Sequence, residues 1–195
     1  MVARVIGDNG SEQDPASNPR ENIIVLLVTR DLVVQNAQGA YKVLEEPELM
    51  GHRACSGPKS QFTDFKVPAG LHVLAGPGGG GAAVIEQAFG CSSALVGVFS
   101  TSIMRHTFEA ALKFAKNDTR GGTVPILHHQ SVADILMDIK MRTNAARMMT
   151  WKALHAMENG PGDFNARLEL ALETKIFCSE LAVRSVTDAM RAVGM

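Results

Sequence analysis

Arg120, His129 and Gln130 are the residues whose types and spacing best suit a chemical role. They lie in the stretch KFAKNDTRGGTVPILHHQSVA, where Arg120 precedes a Gly-Gly break and His129 and Gln130 open a new helical pattern after Pro125. A guanidinium group presents paired donors, and the start of a helix adds backbone N–H groups. The stretch therefore suits the binding of an anion such as a pyrophosphate. It is equally typical of a turn between two helices that carries an exposed arginine, and spacing alone leaves both interpretations open.

A glycine-rich segment is the second candidate for binding phosphate. Within VLAGPGGGGAAVIEQAFG, the residues Gly76, Gly78 and Gly81 have the G-x-G-x-x-G spacing of dinucleotide-binding loops. Such a loop requires a strand soon after its helix, with an Asp or Glu about 20 residues past the glycines. Here the helical pattern continues to Lys116, and the Lys-Ser/Thr pair of a P-loop is missing. We therefore interpret GPGGGG as a flexible joint, and a nucleotide-binding loop is the least favoured function.

The sequence gives little support to other kinds of chemistry. The 6 histidines form no H-x-x-x-H or H-E-x-x-H pattern, so no metal site is predicted. Cys55, Cys91 and Cys178 are odd in number and form no C-x-x-C pair, which indicates buried free thiols in a reducing compartment. Ser92 and Ser93 lack a surrounding G-x-S-x-G elbow and are typical of small residues that pack between helices.

Composition narrows the class of partner. The chain has 195 residues, of which 46% are hydrophobic, and its 19 Lys and Arg against 20 Asp and Glu give a net charge of −1. No broad basic field favours nucleic acid or an anionic membrane surface, so small molecules or other protein chains are the expected partners. The N-terminus has no apolar stretch like a signal peptide, and the run Ile23–Val28 is too short to cross a bilayer. A cytoplasmic location is therefore predicted.

The predicted secondary structure changes from strands to helices at the glycine-rich segment. Before it, two short apolar segments, 23–29 and 61–67, are predicted as strands. After it, apolar residues recur at helical spacing and predict helices over 82–116 and 130–158, with a third that begins after an N-cap at Asp163. The turn NGPGD between the second and third helices is compact, which predicts antiparallel neighbours.

Several motifs in the same order resemble the acyl-CoA dehydrogenase superfamily of flavoproteins. They are MGHRACSGPKSQFTDFKVPAGLHVL in the first part of the chain and DTRGG, PI, HQ, AD and the final DAMRAVG in the helical part. The stretches FAKNDTRGG, WKALHAMENGPGD and ELALETKIFCSE are similar to the nitroalkane-oxidising branch. Arg120 also lies one residue closer to Gln130 than in the acyl-CoA branch, and Gly-Gly replaces a Phe-Gly pair. Both departures favour the nitroalkane branch.

The resemblance implies a fold and an assembly. It implies an α+β chain in which 1–75 is the second part of a middle antiparallel β-domain, 76–81 is a glycine-rich linker, and 82–195 is most of a C-terminal four-helix domain. FAD is the implied cofactor, bound at subunit contacts of a homotetramer. Apolar helix faces would then be left for a fourth helix, an N-terminal domain and partner subunits. We therefore expect the isolated chain to be oligomeric or poorly soluble.

The resemblance also assigns roles to particular residues. Three positions match those that contact the FAD diphosphate, namely Arg120, His129 and Gln130. The segment that contacts the flavin in the family is matched by five consecutive residues: Thr187, Asp188, Ala189, Met190 and Arg191. Ser92 matches a serine that supports the catalytic carboxylate. The carboxylate itself, an Asp in the nitroalkane branch and a Glu in the acyl-CoA branch, is expected to lie beyond this chain, and no catalytic base is assigned.

The implied reaction is the FAD-dependent oxidation of a nitroalkane to an aldehyde or ketone with release of nitrite, followed by reoxidation with O2. Proton transfer and orientation are the tasks of the protein, while the flavin performs the redox step. Two alternatives remain open. One is α,β-dehydrogenation of an acyl thioester, and the other is a catalytically incomplete fragment that acts only as a binding or oligomerisation module.

Overall fold

The computed structural model describes residues 1–4, 18–51, 54, 57–70, 72–76 and 78–194. Arg53 of the MGHRACSG segment and the predicted thiol Cys55 lie outside these residues. The chain divides into two compact units, Met1–Glu86 and Gln87–Met195. Antiparallel strands precede long helices, which confirms the α+β class. The domain boundaries inferred from the sequence stay a prediction.

The first unit contains two small antiparallel sheets. Its elements are β1 (Val2–Arg4), a 3-10 turn (Pro19–Asn22), β2 (Ile23–Leu26), α1 (Arg30–Gln35), β3 (Tyr41–Glu45), β4 (Lys59–Phe62) and β5 (Val73–Ala75). One sheet has the order β1-β2-β5, with Val2 opposite Val25, and the other pairs β3 with β4. Both sheets carry an irregularity in register, between Val25 and Leu26 and between Val43 and Glu45.

The strand predictions are only partly confirmed. β2 starts at Ile23 as expected but ends at Leu26, because Thr29 is instead the N-cap of α1 and its Oγ1 accepts a hydrogen bond from the Leu32 N–H at 3.2 Å. The strand predicted over 61–67 is wrong for most of its length. β4 ends at Phe62, and Asp64 turns the chain with a φ of 50°, which is a left-handed conformation.

The glycine-rich segment is not a dinucleotide-binding loop. The long helix α2 (Gly80–Asn117) already begins within it, and no strand follows α2 in the described part of the chain. The Gly78 N–H donates to the Glu21 carbonyl at 2.8 Å, and the Gly81 N–H donates to the Gly76 carbonyl at 3.1 Å. A Cβ at Gly81 would lie 2.1 Å from the Ile23 carbonyl oxygen. The glycines therefore allow close packing of backbone within the first unit, and two N–H groups that a phosphate would need are engaged.

The second unit is built from the rest of α2, a 3-10 turn (Ile126–His128), α3 (Gln130–Asn159) and α4 (Phe164–Ala192). These bounds confirm the predicted helices to within a few residues, and the Asp163 carboxylate caps α4 by accepting from the Ala166 N–H at 2.9 Å. Contacts between α3 and α4 confirm the antiparallel arrangement. Met157 meets Arg167, Ala146 meets Cys178 and Arg142 meets Asp188, so residue numbers rise on one helix as they fall on the other.

Small residues form the interface between the helices. Gly97 of α2 approaches α3 and α4 so closely that a Cβ there would lie 2.6 Å from Thr150 Oγ1 and 2.8 Å from Thr174 Cγ2. The buried face of α4 consists of Ala171, Thr174, Cys178, Ala182, Ser185, Ala189 and Ala192. Larger side chains fill the core near the 3-10 turn, where Ile126, Leu136 and Ile139 pack with Ala115 and Ala189. The helices therefore pack through short side chains over most of their length.

Many large apolar side chains lie on the outer faces of the helices. Nine of them are more than half exposed: Phe89, Phe99, Ile103, Met137, Met141, Met148, Trp151, Ile176 and Val183. By length and composition alone, α2 is long and apolar enough to cross a membrane, because an 18-residue window within it has a mean hydropathy of 1.5. This property was not predicted from the sequence. Such a helix is weak evidence for a membrane, because core helices pass the same test. The expectation that the long helices carry exposed apolar side chains is confirmed for the described residues, and what covers them stays a prediction.

Candidate functional site

A tight turn after α2 sets the direction of Arg120. The Asp118 carboxylate accepts a hydrogen bond from the Arg120 N–H at 2.7 Å, and the Asp118 carbonyl accepts from the Ile126 N–H at 2.9 Å. Arg120 has a φ of 48° and Gly121 a φ of 79°, so two successive residues are left-handed. A side chain in this conformation carries a cost that Asp118 helps to offset. The local sequence thus fixes the backbone from which the Arg120 side chain extends.

The Arg120 guanidinium lies between α2 and the end of α4. Its Cζ is 4.9 Å from the centre of the Phe114 ring, which is a cation–π distance. Its Nη2 donates to the Val193 carbonyl, and its Nε lies 3.8 Å from Asp118 Oδ1. The side chain remains 48% exposed. Arg120 is therefore held in place by an aromatic ring, a backbone carbonyl and a long ion pair with Asp118, while about half of its side chain remains accessible to an anion.

His129 and Gln130 mark an open helix start. The 3-10 turn before them is anchored by buried Ile126, and the His129 N–H donates to the Ile126 carbonyl at 3.0 Å. His129 is the N-cap of α3, but its side chain makes no capping hydrogen bond. Gln130 is the first residue of the helix and is exposed. An uncapped helix start presents N–H groups and positive dipole charge to solvent, which favours anions.

A groove of about 310 Å³ brings these features together with the end of α4. It is lined by Arg120, Ile126, His129, Ser131, Val132, Arg191, Ala192, Val193 and Gly194. Three residues selected from the sequence, Arg120, His129 and Arg191, thus share one groove, whereas Gln130 lies beside it. Gly194 has a φ of 79°, and a Cβ there would lie 3.5 Å from Arg120 Nη2. The positive φ therefore favours glycine at this turn, whereas a Cβ would make only an ordinary contact with the guanidinium.

A second groove of about 350 Å³ lies between α2 and α4 and shares Val193 with the first. Its lining is mostly apolar and includes Ala110, Phe114, Val186 and Met190. A ligand with both an anionic and an apolar part would therefore find matching surfaces at this end of the helices. A purely ionic ligand would use only the first groove.

The segment 187–191 does not face in one direction. Thr187 is exposed and donates to the Val183 carbonyl at 3.1 Å, Met190 is 48% exposed, and the Arg191 side chain is 69% exposed. Asp188 is 15% exposed at its side chain, and Ala189 is 6% exposed within the core. The geometry therefore leaves three of the five side chains accessible to a ligand and turns two toward the protein.

Asp188 lies within a cluster of arginines that the sequence analysis missed. Arg142 Nη1 donates to Asp188 Oδ2 at 2.6 Å, and Arg191 Nη1 donates to Asp188 Oδ1 at 3.3 Å. The hydrogen bond from Arg142 is the main cause that lowers the pKa of Asp188, and burial opposes it. Arg142 also pairs with Asp138 at 3.0 Å. Because these two residues are four apart on one helix, their spacing is a signal in the sequence that predicts an ion pair for Arg142.

Ser92 lies on the exposed side of α2. Its Oγ donates to the Phe89 carbonyl at 3.0 Å, while the neighbouring Ser93 is buried and donates to the same oxygen at 2.8 Å. Ser93 therefore fits the interpretation of a small packing residue, whereas Ser92 remains accessible. The two described cysteines also differ. Cys178 is buried as predicted, and burial raises the pKa of its thiol, but Cys91 is exposed, so that part of the prediction is wrong.

Residues 79–195 match the family described as acyl-CoA dehydrogenase, C-terminal domain. The chain is 47% identical to nitroalkane oxidase of Podospora anserina and 46% identical to nitroalkane oxidase of Fusarium oxysporum, each over all 195 residues. These alignments cover 45% and 44% of the two relatives, so the chain spans less than half their length.

Solved structures give the same grouping. A crystal structure of nitroalkane oxidase in complex with spermine, a competitive inhibitor, superposes with a TM-score of 0.92 at 46% identity and covers 100% of this chain and 45% of that one. Butyryl-CoA dehydrogenase from Megasphaera elsdenii superposes with a TM-score of 0.78 at 21% identity over 99% of this chain and 45% of that one. The second match shows the shared fold alone.

Proposed function

The chain belongs to the acyl-CoA dehydrogenase family, and we propose that it forms part of a FAD-dependent nitroalkane oxidase. The reaction is the conversion of a nitroalkane to an aldehyde or ketone with release of nitrite, followed by reoxidation with O2. Identity of 46–47% to two nitroalkane oxidases over the whole chain is the observation that carries this proposal. The acyl-CoA branch is the runner-up, and likeness to butyryl-CoA dehydrogenase supports it only at the level of fold.

The groove at the end of α4 fits the diphosphate of FAD. It combines the guanidinium groups of Arg120 and Arg191 with the imidazole of His129 and an uncapped helix start. Guanidinium groups bind phosphate oxygens through paired hydrogen bonds, and a helix N-terminus adds further donors. FAD, when bound, would supply the redox step by taking electrons from the substrate and passing them to O2.

Each exposed residue near the groove has a proposed role. Arg120 and Arg191 neutralise and orient the diphosphate, His129 adds a hydrogen bond, and Gln130 uses its amide at the helix start. The accessible side chains of Thr187 and Met190 provide further contacts to the cofactor. Asp188 and Ala189 support this surface from within, because their side chains face the arginine cluster and the core.

Ser92 is proposed to support a catalytic carboxylate. Its hydroxyl is exposed and donates to its own helix, so it remains able to accept a hydrogen bond. One solved relative is described as an active-site serine-to-alanine variant of nitroalkane oxidase crystallised with 1-nitrohexane. An active-site serine in that protein supports this role for Ser92.

A homotetramer is the proposed assembly. Exposed apolar side chains on all three long helices support association with further copies, since such surfaces are otherwise rare on monomeric proteins. The nearly balanced charge gives no support for a nucleic-acid or membrane partner. The apolar surface of α2 is accordingly assigned to packing between protein elements.

The proposal is tested by the flavin content of the purified chain. The protein is incubated with FAD, passed over gel filtration and measured by visible absorbance. Retained flavin is expected, and Arg120→Gln and Gln130→Ala are expected to lose it. Arg105→Gln is the matched control, because Arg105 pairs with Glu109 on the exposed face of α2, away from the groove.

The outcomes have distinct meanings. Retention lost in the two groove variants but not in the control justifies assays for nitrite and peroxide. A colourless wild-type protein would mean that this chain is not a flavoenzyme by itself, which favours the alternative of a binding or oligomerisation module. Retention that is equal in all variants would contradict the assignment of the groove.

A further inference from the structure

The ion pair between Arg142 and Asp188 connects α3 to the groove at the end of α4. We propose that Arg142 is a positioning residue, which neutralises the Asp188 carboxylate so that the Arg191 guanidinium stays available to a diphosphate. This inference rests on the proposed function, because it takes the groove to be the diphosphate site. It assigns a role to Arg142 that neither the sequence motifs nor the groove lining indicated.

The geometry makes Arg142 the main partner of Asp188. Its Nη1 lies 2.6 Å from Asp188 Oδ2, and the two side chains are only 14% and 15% exposed. Arg184 Nε lies 4.0 Å from the same oxygen and its side chain is 69% exposed, so it contributes less. Arg142 is itself fixed by Asp138, whose Oδ2 accepts from Nη2 at 3.0 Å. A partly buried and doubly bonded guanidinium therefore holds one carboxylate oxygen.

The other carboxylate oxygen contacts Arg191, which lines the groove. Asp188 Oδ1 accepts from Arg191 Nη1 at 3.3 Å, and Arg191 lines the groove together with Arg120 and His129. The Arg191 side chain is 69% exposed, so this contact is the weaker and more exchangeable of the two. Asp188 and an incoming phosphate therefore compete for the same guanidinium.

Arg142 decides the outcome of this competition. While it holds Oδ2, the charge of Asp188 is matched and Arg191 can donate to a phosphate. Without Arg142, the carboxylate would take Arg191 as its main partner and add an unmatched negative charge beside the anion site. Repulsion and the loss of one guanidinium should then lower the affinity of a diphosphate about tenfold, which corresponds to about 1.4 kcal/mol.

The test is the affinity of the full chain for ADP, measured by calorimetry at constant ionic strength. ADP supplies a diphosphate without a flavin ring, so the measurement does not depend on enzyme activity. Arg142→Met is expected to weaken binding about tenfold, and Arg142→Lys is expected to keep most of the affinity because it retains the charge. The double variant Arg142→Met with Asp188→Asn should restore binding, since the competing carboxylate is removed.

Controls separate positioning from stability and from the proposed function. Arg105→Met removes an exposed arginine elsewhere and should leave ADP affinity unchanged, and thermal unfolding is recorded for every variant. Affinity that is unchanged in Arg142→Met, or that Asp188→Asn does not restore, would overturn the role of Arg142. If Arg120→Gln also binds ADP normally, or if the wild-type chain does not bind it, the diphosphate assignment fails and this inference fails with it.

Discussion

Gly97→Ala should destabilise the helical unit, although alanine is the better helix former. Gly97 is buried on α2 where α2 meets both α3 and α4. An added methyl group would lie 2.6 Å from Thr150 Oγ1 and 2.8 Å from Thr174 Cγ2, and both distances are shorter than any normal contact. The substitution therefore forces two neighbouring helices to move.

The size of the effect follows from how firmly the two threonines are held. Thr150 Oγ1 donates to the Ala146 carbonyl at 2.7 Å, and Thr174 Oγ1 donates to the Leu170 carbonyl at 2.8 Å, so neither side chain can rotate without losing a hydrogen bond. Overpacking in a close-packed core costs about 1–3 kcal/mol, and each lost hydrogen bond costs about 1 kcal/mol. Replacing glycine by alanine within a helix stabilises the folded chain by about 1 kcal/mol, which partly offsets these costs. A net loss of about 2 kcal/mol is expected.

Urea unfolding followed by circular dichroism measures this loss, with two matched controls. Gly80→Ala changes an open position at the start of the same helix, where a Cβ would meet nothing within 4 Å beyond the local backbone, and should be neutral or slightly stabilising. Gly90→Ala meets Leu168 Cδ1 at 1.8 Å, but this is the end of a flexible side chain that can turn away, so a smaller loss is expected. Thr174→Ser removes Cγ2 and should recover part of the stability in the Gly97→Ala background. A Gly97→Ala chain as stable as wild type would refute the packing of α2 against both helices.

Three further predictions concern charges and association. Asp163→Ala should cost about 1 kcal/mol in urea unfolding, because the cap on the Ala166 N–H is lost; an unchanged midpoint would contradict the cap. The pKa of Asp188 is lowered in the folded chain, so its ionised form stabilises folding above its usual pKa, and this contribution is lost as the pH falls through the lowered value. The stability difference between wild type and Asp188→Asn should therefore shrink from about pH 5 to about pH 3, and a constant difference would count against the Arg142 pair. Light scattering should find the isolated chain associated, because many large apolar side chains are exposed, whereas a stable monomer would argue against association through these faces.

The long helices could be read from the sequence because their signals are local. Apolar spacing persisted over many turns, and Asp163 and the NGPGD turn marked the ends with known chemistry. The strands were harder to predict from the sequence. Short segments such as Val2–Arg4 and Val73–Ala75 have too few residues to show a period. The 61–67 segment was misjudged because Asp64 adopts a left-handed conformation that aspartate only sometimes takes.

For a related reason, only part of the candidate site could be predicted from the sequence. Arg120 and His129 could be selected because they lie close together in the sequence, in a single segment that connects two predicted helices. Arg142 and Asp188 are 46 residues apart and meet only because α3 and α4 run antiparallel. Their register depends on small residues such as Ala146 and Cys178, whose roles appear only once the helices are packed. Long-range charge pairs of this kind leave no spacing that a single sequence can reveal.

Helical geometry also limits how many consecutive residues of a motif can contact one ligand. Successive residues of an α-helix turn by about 100°, so five in a row span more than one full turn and cannot all face one ligand. The segment 187–191 was selected as a unit because a motif is contiguous. The structure divides it between accessible side chains, such as Arg191, and Ala189, which packs into the core beside Ile126. Substitutions at the accessible positions should therefore alter flavin retention with little change in stability, whereas Ala189→Leu should first lower the unfolding midpoint. If Ala189→Leu unfolds normally but loses flavin, the side chain contacts the cofactor and this division of roles is wrong.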